Sequence, residues 1–535
     1  MAGASALQFI TLKEVVARMI RFGCFSQLLL ASLLFASFGA ARCEVRLPHM
    51  LSDHAVLQRE MPVHIWGWAG AGEKVTVSFR GQTRMGVADD LGRWSVFLRP
   101  EQAGGPYALT VQGSNTIRLE DILVGDVWFA SGQSNMEFPL DGFPGLAVLK
   151  NGPQEIAAAT QPQIRLLRFG RKASEYELRD QDASWTLCTP ETAAQFSAVA
   201  YFFARDLVKQ ERVPIGLIDS TWGGTPVAAW LSLDGLSSDA GLMPQFAQRV
   251  EMVENQSDIS PMLDAEKRED AKARAAGQAL TKHPWHPNPA SWAPTELFNG
   301  MVAPAIDFAI KGVIWYQGET DSTAGRAPLY ERTFPAMITD WRARWGEGNF
   351  PFLFVQLSSF TSTPAETWGV VREAQRRTLK LANTGMAVSV DVGQADNVHP
   401  TDKQTVGTRL ALAARAVAYG EAVEFSGPLF REATPEGNGM RVYFTHGQGL
   451  VARGGALEGF EVAGEDRRFR PGTARVDGDT VVVNAADVSR PMYVRYAWAN
   501  APMTANLYNG AGLPAAAFTS EMHIPVPCAG SCGSR

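Results

Sequence analysis

From Ile122 to Tyr419 the chain alternates short apolar, β-prone runs with longer stretches of helical spacing, and this rhythm restricts the fold more than any other feature. Strands are predicted at 124–130, 215–219, 313–316, 352–356 and 386–390, and helices at 196–210, 328–345 and 403–419. Strand, helix, strand over this length means an α/β fold, a parallel sheet flanked by helices. In such sheets a ligand sits at the C-terminal ends of the strands.

The first of these strands breaks sharply at Ser131-Gly132-Gln133-Ser134-Asn135-Met136. Gly132 permits a tight or left-handed backbone. A serine on a tight turn at a strand end can present its hydroxyl to a cleft, with free backbone N–H groups around it, as an activated nucleophile requires. By itself the stretch serves equally as a polar turn whose Ser134 or Asn135 caps a following helix.

Outside this core the pattern is β. Residues 42–121 alternate as half-buried strands do, at 63–68, 74–79, 92–97 and 107–111, with a Gly-rich turn at 69–72, and predict a small β-sandwich-like unit. Trp66, Trp68 and Trp94 there are core residues or a sugar-binding face. Residues 425–535 repeat the β pattern, at 441–444, 460–462, 480–483 and 493–496, and predict a second β unit packing on the first. The catalytic span is then 122–424, interrupted by a polar, helix-prone insertion near 236–290. The Pro-rich end of that insertion carries His283 and His286, read as a cleft-rim loop rather than a metal site.

At 535 residues the chain exceeds what one core usually organises. A net charge of -6 without a Lys/Arg cluster argues against nucleic acid as a partner. Arg18 and Arg21 precede an apolar run, 22–38, followed by Gly39-Ala40-Ala41, which reads as a signal peptide over 1–41 and hence a secreted or periplasmic protein with no membrane span after cleavage. Arg42 before Cys43 argues against lipidation. Of five cysteines, Cys24 leaves with the signal; Cys528 and Cys532 close a small loop or pair with Cys43 and Cys188.

Four predicted strand ends carry reactive or strongly polar groups: Ser134; Trp222-Gly223-Gly224-Thr225; Gln317-Gly318-Glu319; and Asp396 with His399. Ester hydrolysis by serine needs a hydroxyl, a base, a carboxylate orienting the base, and donors for the oxyanion. Asp396 and His399, three apart on one loop, fit the acid and base. Gly223 and Gly224 expose backbone N–H groups, and Gln317 offers an amide.

The segments 132–136, 222–225, 315–319 and 398–400, together with Val56-Leu57-Gln58-Arg59, residues 494–500 and residues 506–509, resemble the motif set of the sialate O-acetylesterase family, one of the SGNH serine hydrolases. The resemblance spans nearly the whole mature chain. It implies an SGNH, flavodoxin-like sheet with accessory β domains at both ends. It implies Ser134 as nucleophile, His399 as base and Asp396 as acid, with Asp391 as the fallback because several relatives place the carboxylate where this chain has Asn397. It implies an oxyanion hole from the Ser134 N–H, a Gly223 or Gly224 N–H and an amide. Gln317 takes that last role, because Thr320 stands where the superfamily has asparagine. Gln133, Asn135 and Glu319 are supporting residues. The implied reaction removes acetyl groups from a sugar, 9-O-acetylated sialic acid first, with no metal or organic cofactor. An acetylxylan or other polysaccharide esterase would use the same residues, and an inactive glycan-binding protein would keep only the fold. A sialic acid would want a cation for its carboxylate, for which Arg326 and Arg372 are candidates.

Overall fold

A computed structural model describes residues 44–524, except residues 144, 250–259, 282 and 284–288. The expected signal peptide, Cys43, His286, Cys528 and Cys532 lie outside the described residues. Cys188 is buried with a free thiol that donates to the Ala159 carbonyl (3.3 Å).

The N-terminal region contributes β1 (Val56–Gln58), β2 (Val63–Trp68), β3 (Lys74–Phe79), β4 (Gln82–Val87), β5 (Arg93–Leu98) and β6 (Gly104–Gln112). The Gly-rich turn at 69–72 joins strands of two different sheets: β2 pairs with β5, whereas β3 pairs with β4 and β6. Trp66 and Trp94 are core side chains, and Trp66 packs edge-on against Phe308. β7 (Thr116–Gly132) is longer than its apolar run. Its first half pairs with β6 and β1, and its second half enters the parallel sheet. The expected boundary at 121/122 therefore falls inside one continuous strand. Burial changes there too: Thr116 to Asp121 is mostly open, and every residue from Ile122 to Gly132 is buried, as a strand covered on both faces must be.

The parallel strands are β8 (Gln161–Arg168), β10 (Ile215–Thr221), β11 (Gly312–Tyr316), β12 (Phe352–Gln356) and β13 (Thr384–Val388), with β9 (Thr186–Cys188) antiparallel at one edge. Their order is β13-β12-β11-β7-β10-β8-β9. Neighbouring residues of β7 face opposite helical layers. Trp128 meets Phe203 of one helix (Ala198–Glu211), and Phe129 meets Trp341 of another (Ala327–Trp345). Trp341 also touches Trp315 and Phe352, so the second layer rests on an aromatic cluster. The result is a mixed α/β protein with a large central sheet, helices on both faces and further antiparallel sheets.

The segment 56–59 is a clamp on the foot of β7. Arg59 donates to both oxygens of the fully buried Asp126 (2.8 and 3.0 Å), and Gln58 Oε1 accepts from the Val127 N–H (2.8 Å). The C-terminal strands, led by Leu429–Glu436 and Gly439–Thr445, dock on the helix Trp368–Thr378 and on β12 rather than, as expected, on the N-terminal strands. Arg372 makes that joint. It is fully buried and donates to the carbonyls of Leu357 (2.9 Å), Ser358 (2.6 Å), Ala499 (2.8 Å) and Asn500 (2.7 Å). The predicted solvated helix of the insertion is Ser260–Ala275, and His283 pairs with its Asp270 (3.1 Å).

Candidate active site

Ser134 sits two residues past the end of β7 and opens a single helical turn, Ser134–Glu137. Gly132 makes the turn possible. Its φ is +134°, and a Cβ there would lie 2.2 Å from the Tyr316 carbonyl oxygen. That same carbonyl accepts from the Gln133 N–H (3.0 Å), which fixes the chain direction into Ser134. His399 comes from the loop after β13, and its Nε2 is 2.9 Å from the Ser134 hydroxyl. Phe143 covers the ring edge-on, with centroids 5.2 Å apart. Burial first, then the Lys403 ammonium, pull the imidazole down to about 4. The ring is therefore neutral near pH 7 and can accept the serine proton at Nε2.

The carboxylate of Asp396 does not join this pair. Asp396 is exposed, and among the described residues no carboxylate is bonded to the His399 ring. The loop conformation is the reason. Gln394 and Asn397 bridge across its turn, and Asn397 Oδ1 accepts the His399 N–H (2.9 Å), so Asp396 at the tip of that turn projects into solvent. The fallback, Asp391, is held by two bonds from Arg409 (2.6 and 2.7 Å) and by the Tyr508 hydroxyl (3.2 Å).

Two expected oxyanion donors are also committed elsewhere. Gln317 is fully buried. Its Nε2 donates to the Thr225 carbonyl (3.0 Å) and to Asp321 (2.5 Å), and its Oε1 accepts from Tyr330 (3.1 Å). The side chain locks the ends of β10 and β11 together and has no hydrogen left for a substrate. The Gly223 N–H donates to Glu137 Oε2 (2.8 Å). Glu137 was not singled out in the sequence, although its place three residues after a serine is the one a reciprocal cap would use. It is buried, and its other oxygen accepts from Arg171 (2.8 and 2.5 Å). The N–H groups of Ser134 and Gly224 make no hydrogen bond among the described residues, and Gly224 has a positive φ of +72°.

The supporting residues converge. Gln133 Oε1 accepts from the Gly318 and Thr320 N–H groups (3.3 Å each). Asn135 Nδ2 donates to Glu319 Oε1 (2.5 Å) and to the Val398 carbonyl (3.0 Å), and its Oδ1 accepts from Lys403. Glu319 is buried, and that burial raises its carboxyl above the usual range. Arg326 and Arg372, named for a substrate carboxylate, are both buried. Arg326 lies over the Trp292 ring (4.3 Å) and Arg372 is saturated by carbonyls.

Residues 271–416 match the family described as carbohydrate esterase, sialic acid-specific acetylesterase. That span holds His399 but not Ser134. The sialate O-acetylesterase of Rattus norvegicus is 31% identical over 527 residues, covering 89% of this chain and 94% of that protein. The Homo sapiens sialate O-acetylesterase is 34% identical over 427 residues, covering 72% of this chain and 73% of its own. Among solved structures, a carbohydrate acetylesterase from Xanthomonas citri superposes with a TM-score of 0.76 at 39% identity, covering 90% of this chain and all of the other. With a serine hydroxyl on a neutral imidazole at the strand ends of a covered parallel sheet, this is a carboxylic ester hydrolase acting on acetylated carbohydrate. The chain belongs to the sialate O-acetylesterase family. Among the described residues no helix is long and apolar enough to cross a membrane.

Proposed function

We propose that this is an exported serine esterase that removes O-acetyl groups from sugars, 9-O-acetylated sialic acid first, through an acetyl-serine intermediate. The observation that carries the reading is the 2.9 Å bond between Ser134 Oγ and His399 Nε2. Ser134 Oγ attacks the acetyl carbonyl while His399 Nε2 takes its proton. The oxyanion faces the N–H groups of Ser134 and Gly224. The C–O bond to the sugar breaks, and His399 returns the proton to the leaving sugar oxygen. Water repeats the attack, with His399 again the base, and releases acetate. The strand order β10-β7-β11-β12-β13 supports the flavodoxin-like sheet of SGNH hydrolases, with β8 added outside β10. The signal segment supports export. The catalytic unit spans about 122–424, with the β regions bracing it from both sides.

A second reading keeps the chemistry and changes the sugar. Both arginines expected to meet a sialate carboxylate are buried in the protein, which favours a neutral, polymeric acetyl-glycan. Acetate release from 9-O-acetylated sialic acid and from acetylated xylan, measured side by side, decides between them. Release from the first alone supports the sialate reading; release from xylan alone moves the substrate.

Because no carboxylate among the described residues is bonded to the His399 ring, Asp396→Asn is expected to leave kcat within a few-fold of wild type, where losing the orienting acid of a serine triad costs about 10⁴-fold. Steady-state kinetics of the variant check this. The pH profile gives an independent reading. A base whose proton affinity is lowered stays neutral into acid. So kcat/KM is expected to hold as pH falls and to drop only as pH passes through about 4, well below the roughly 6.5 of an ordinary histidine. An acid limb near 6.5 would contradict the buried imidazole.

A further inference from the structure

Lys403 is a lysine with almost no solvent contact, 1% exposed, at the first position of the helix Lys403–Val417. Most lysines at such a place point into water, because removing an ammonium from water is costly unless it is paired. This one points inward between the rings of Phe138 (4.8 Å) and Tyr316 (5.6 Å), and its Nζ donates to Asn135 Oδ1. The proposed mechanism gives it no task, since it touches neither the serine hydroxyl nor the carbonyl to be attacked.

Asn135 is where that bond matters. Its amide joins the two halves of the site. It follows Ser134 in the chain, and its Nδ2 holds the carbonyl of Val398, the residue before His399. An asparagine side chain can be turned over, exchanging its oxygen and its nitrogen. Two buried neighbours forbid the exchange: Lys403 donates to the oxygen from one side, and Glu319 accepts from the nitrogen on the other. We propose that Lys403 is a positioning residue of the esterase. Its ammonium holds the Asn135 amide in the one orientation that ties the Ser134 turn to the His399 loop. The inference rests on Ser134 and His399 being nucleophile and base.

The charges around Lys403 define a second consequence. Burial pulls its proton affinity down to about 7, against the attraction of Glu319 and Asp402 for the ammonium. His399 faces it and loses proton affinity through it. A neutral amine still donates to Asn135, so the orientation survives above that pH. Removing the lysine instead lets the imidazole hold its proton to higher pH.

The test uses the full chain with Lys403→Met and Lys403→Gln, the latter keeping an N–H donor without the charge. For Lys403→Met, kcat for acetate release is expected to fall about 10- to 100-fold with KM little changed, as a displaced nucleophile–base pair requires. Lys403→Gln is expected to recover a substantial part of kcat. In both variants the acid limb of kcat/KM moves to higher pH. The loss in Lys403→Met combined with Asn135→Ala is expected to be far less than the product of the single losses, because the lysine acts through the amide. A folded Lys403→Met enzyme with wild-type kcat overturns the proposal. So do multiplicative losses, and so does a Lys403→Gln enzyme that is folded but no better than Met. If Ser134→Ala keeps full activity, the serine reading itself falls and takes this inference with it. A loss in Ser134→Ala with none in Lys403→Met removes the lysine's role alone.

Discussion

Ser134→Ala is expected to lower kcat for acetate release by about 10⁴-fold or more while leaving thermal stability almost unchanged. Both halves follow from the geometry. The hydroxyl's one partner among the described residues is His399 Nε2 (2.9 Å), so alanine removes the attacking atom and leaves no buried donor stranded in the core. The backbone carries the turn independently. The Gln133 N–H reaches the Tyr316 carbonyl (3.0 Å), and the Phe138 N–H reaches the Ser134 carbonyl (2.9 Å). A small residual rate should persist, because on the proposed mechanism the N–H groups of Ser134 and Gly224 would still meet the oxyanion while water attacks slowly. His399→Gln should cost about as much, and the double variant little more than either single one, since the two groups act as a unit. Acetate release paired with a melting curve checks all three. A Ser134→Ala enzyme within tenfold of wild type, with an unshifted melting curve, removes Ser134 from the chemistry.

What was legible in the sequence was whatever local pattern controls. The strands Val63–Trp68, Lys74–Phe79 and Phe352–Gln356 fall where alternation or a short apolar run put them, because side-chain periodicity reflects burial directly. Ser134 and His399 were legible because each closes a strand-to-loop transition, and a parallel sheet delivers such ends to one edge. The helix Trp368–Thr378 was missed; half its buried residues are polar or charged, and their burial depends on partners elsewhere in the chain. Two of the four carbonyls that hold its Arg372 belong to Ala499 and Asn500, more than a hundred residues later, which no window along the chain contains.

The acid and the amide failed for a related reason. Spacing tells that Asp396 lies near His399, but not which way a three-residue loop turns its side chain. The Asn397 bond to the His399 N–H settles that. Gln317 stands at the strand end where a donor was expected, yet its two hydrogens go to Thr225, far away in the chain, and to Asp321. Glu137 and Lys403 were passed over because charged residues on helices are usually solvated. Their burial is a tertiary event, set by Gly223 and Arg171 for one and by Asn135 for the other.

Gly132→Ala carries the second large effect, on folding and catalysis together. Two costs coincide at this residue. A φ of +134° is closed to an alanine without strain, worth roughly 1–3 kcal/mol. The new Cβ would also fall 2.2 Å from the Tyr316 carbonyl oxygen and 2.8 Å from its carbon, a backbone overlap that no rotamer relieves and that adds about 1–3 kcal/mol as the strands part. Tyr316 is the register partner of Gly132 and the acceptor for the Gln133 N–H, so the displacement passes directly to Ser134. A shift of an ångström there should cost about 100-fold in kcat beyond the loss of stability. Gly346→Ala is the control. It ends a helix at φ +68° with no atom within 4 Å of the added carbon, so it feels the backbone strain alone, about 1–2 kcal/mol, far from the serine. Melting curves and acetate release for the two variants separate the effects. Gly132→Ala should lose both stability and kcat, and Gly346→Ala only a little stability. Equal behaviour of the two would mean that the close approach of β7 to Tyr316 does not hold the serine in place.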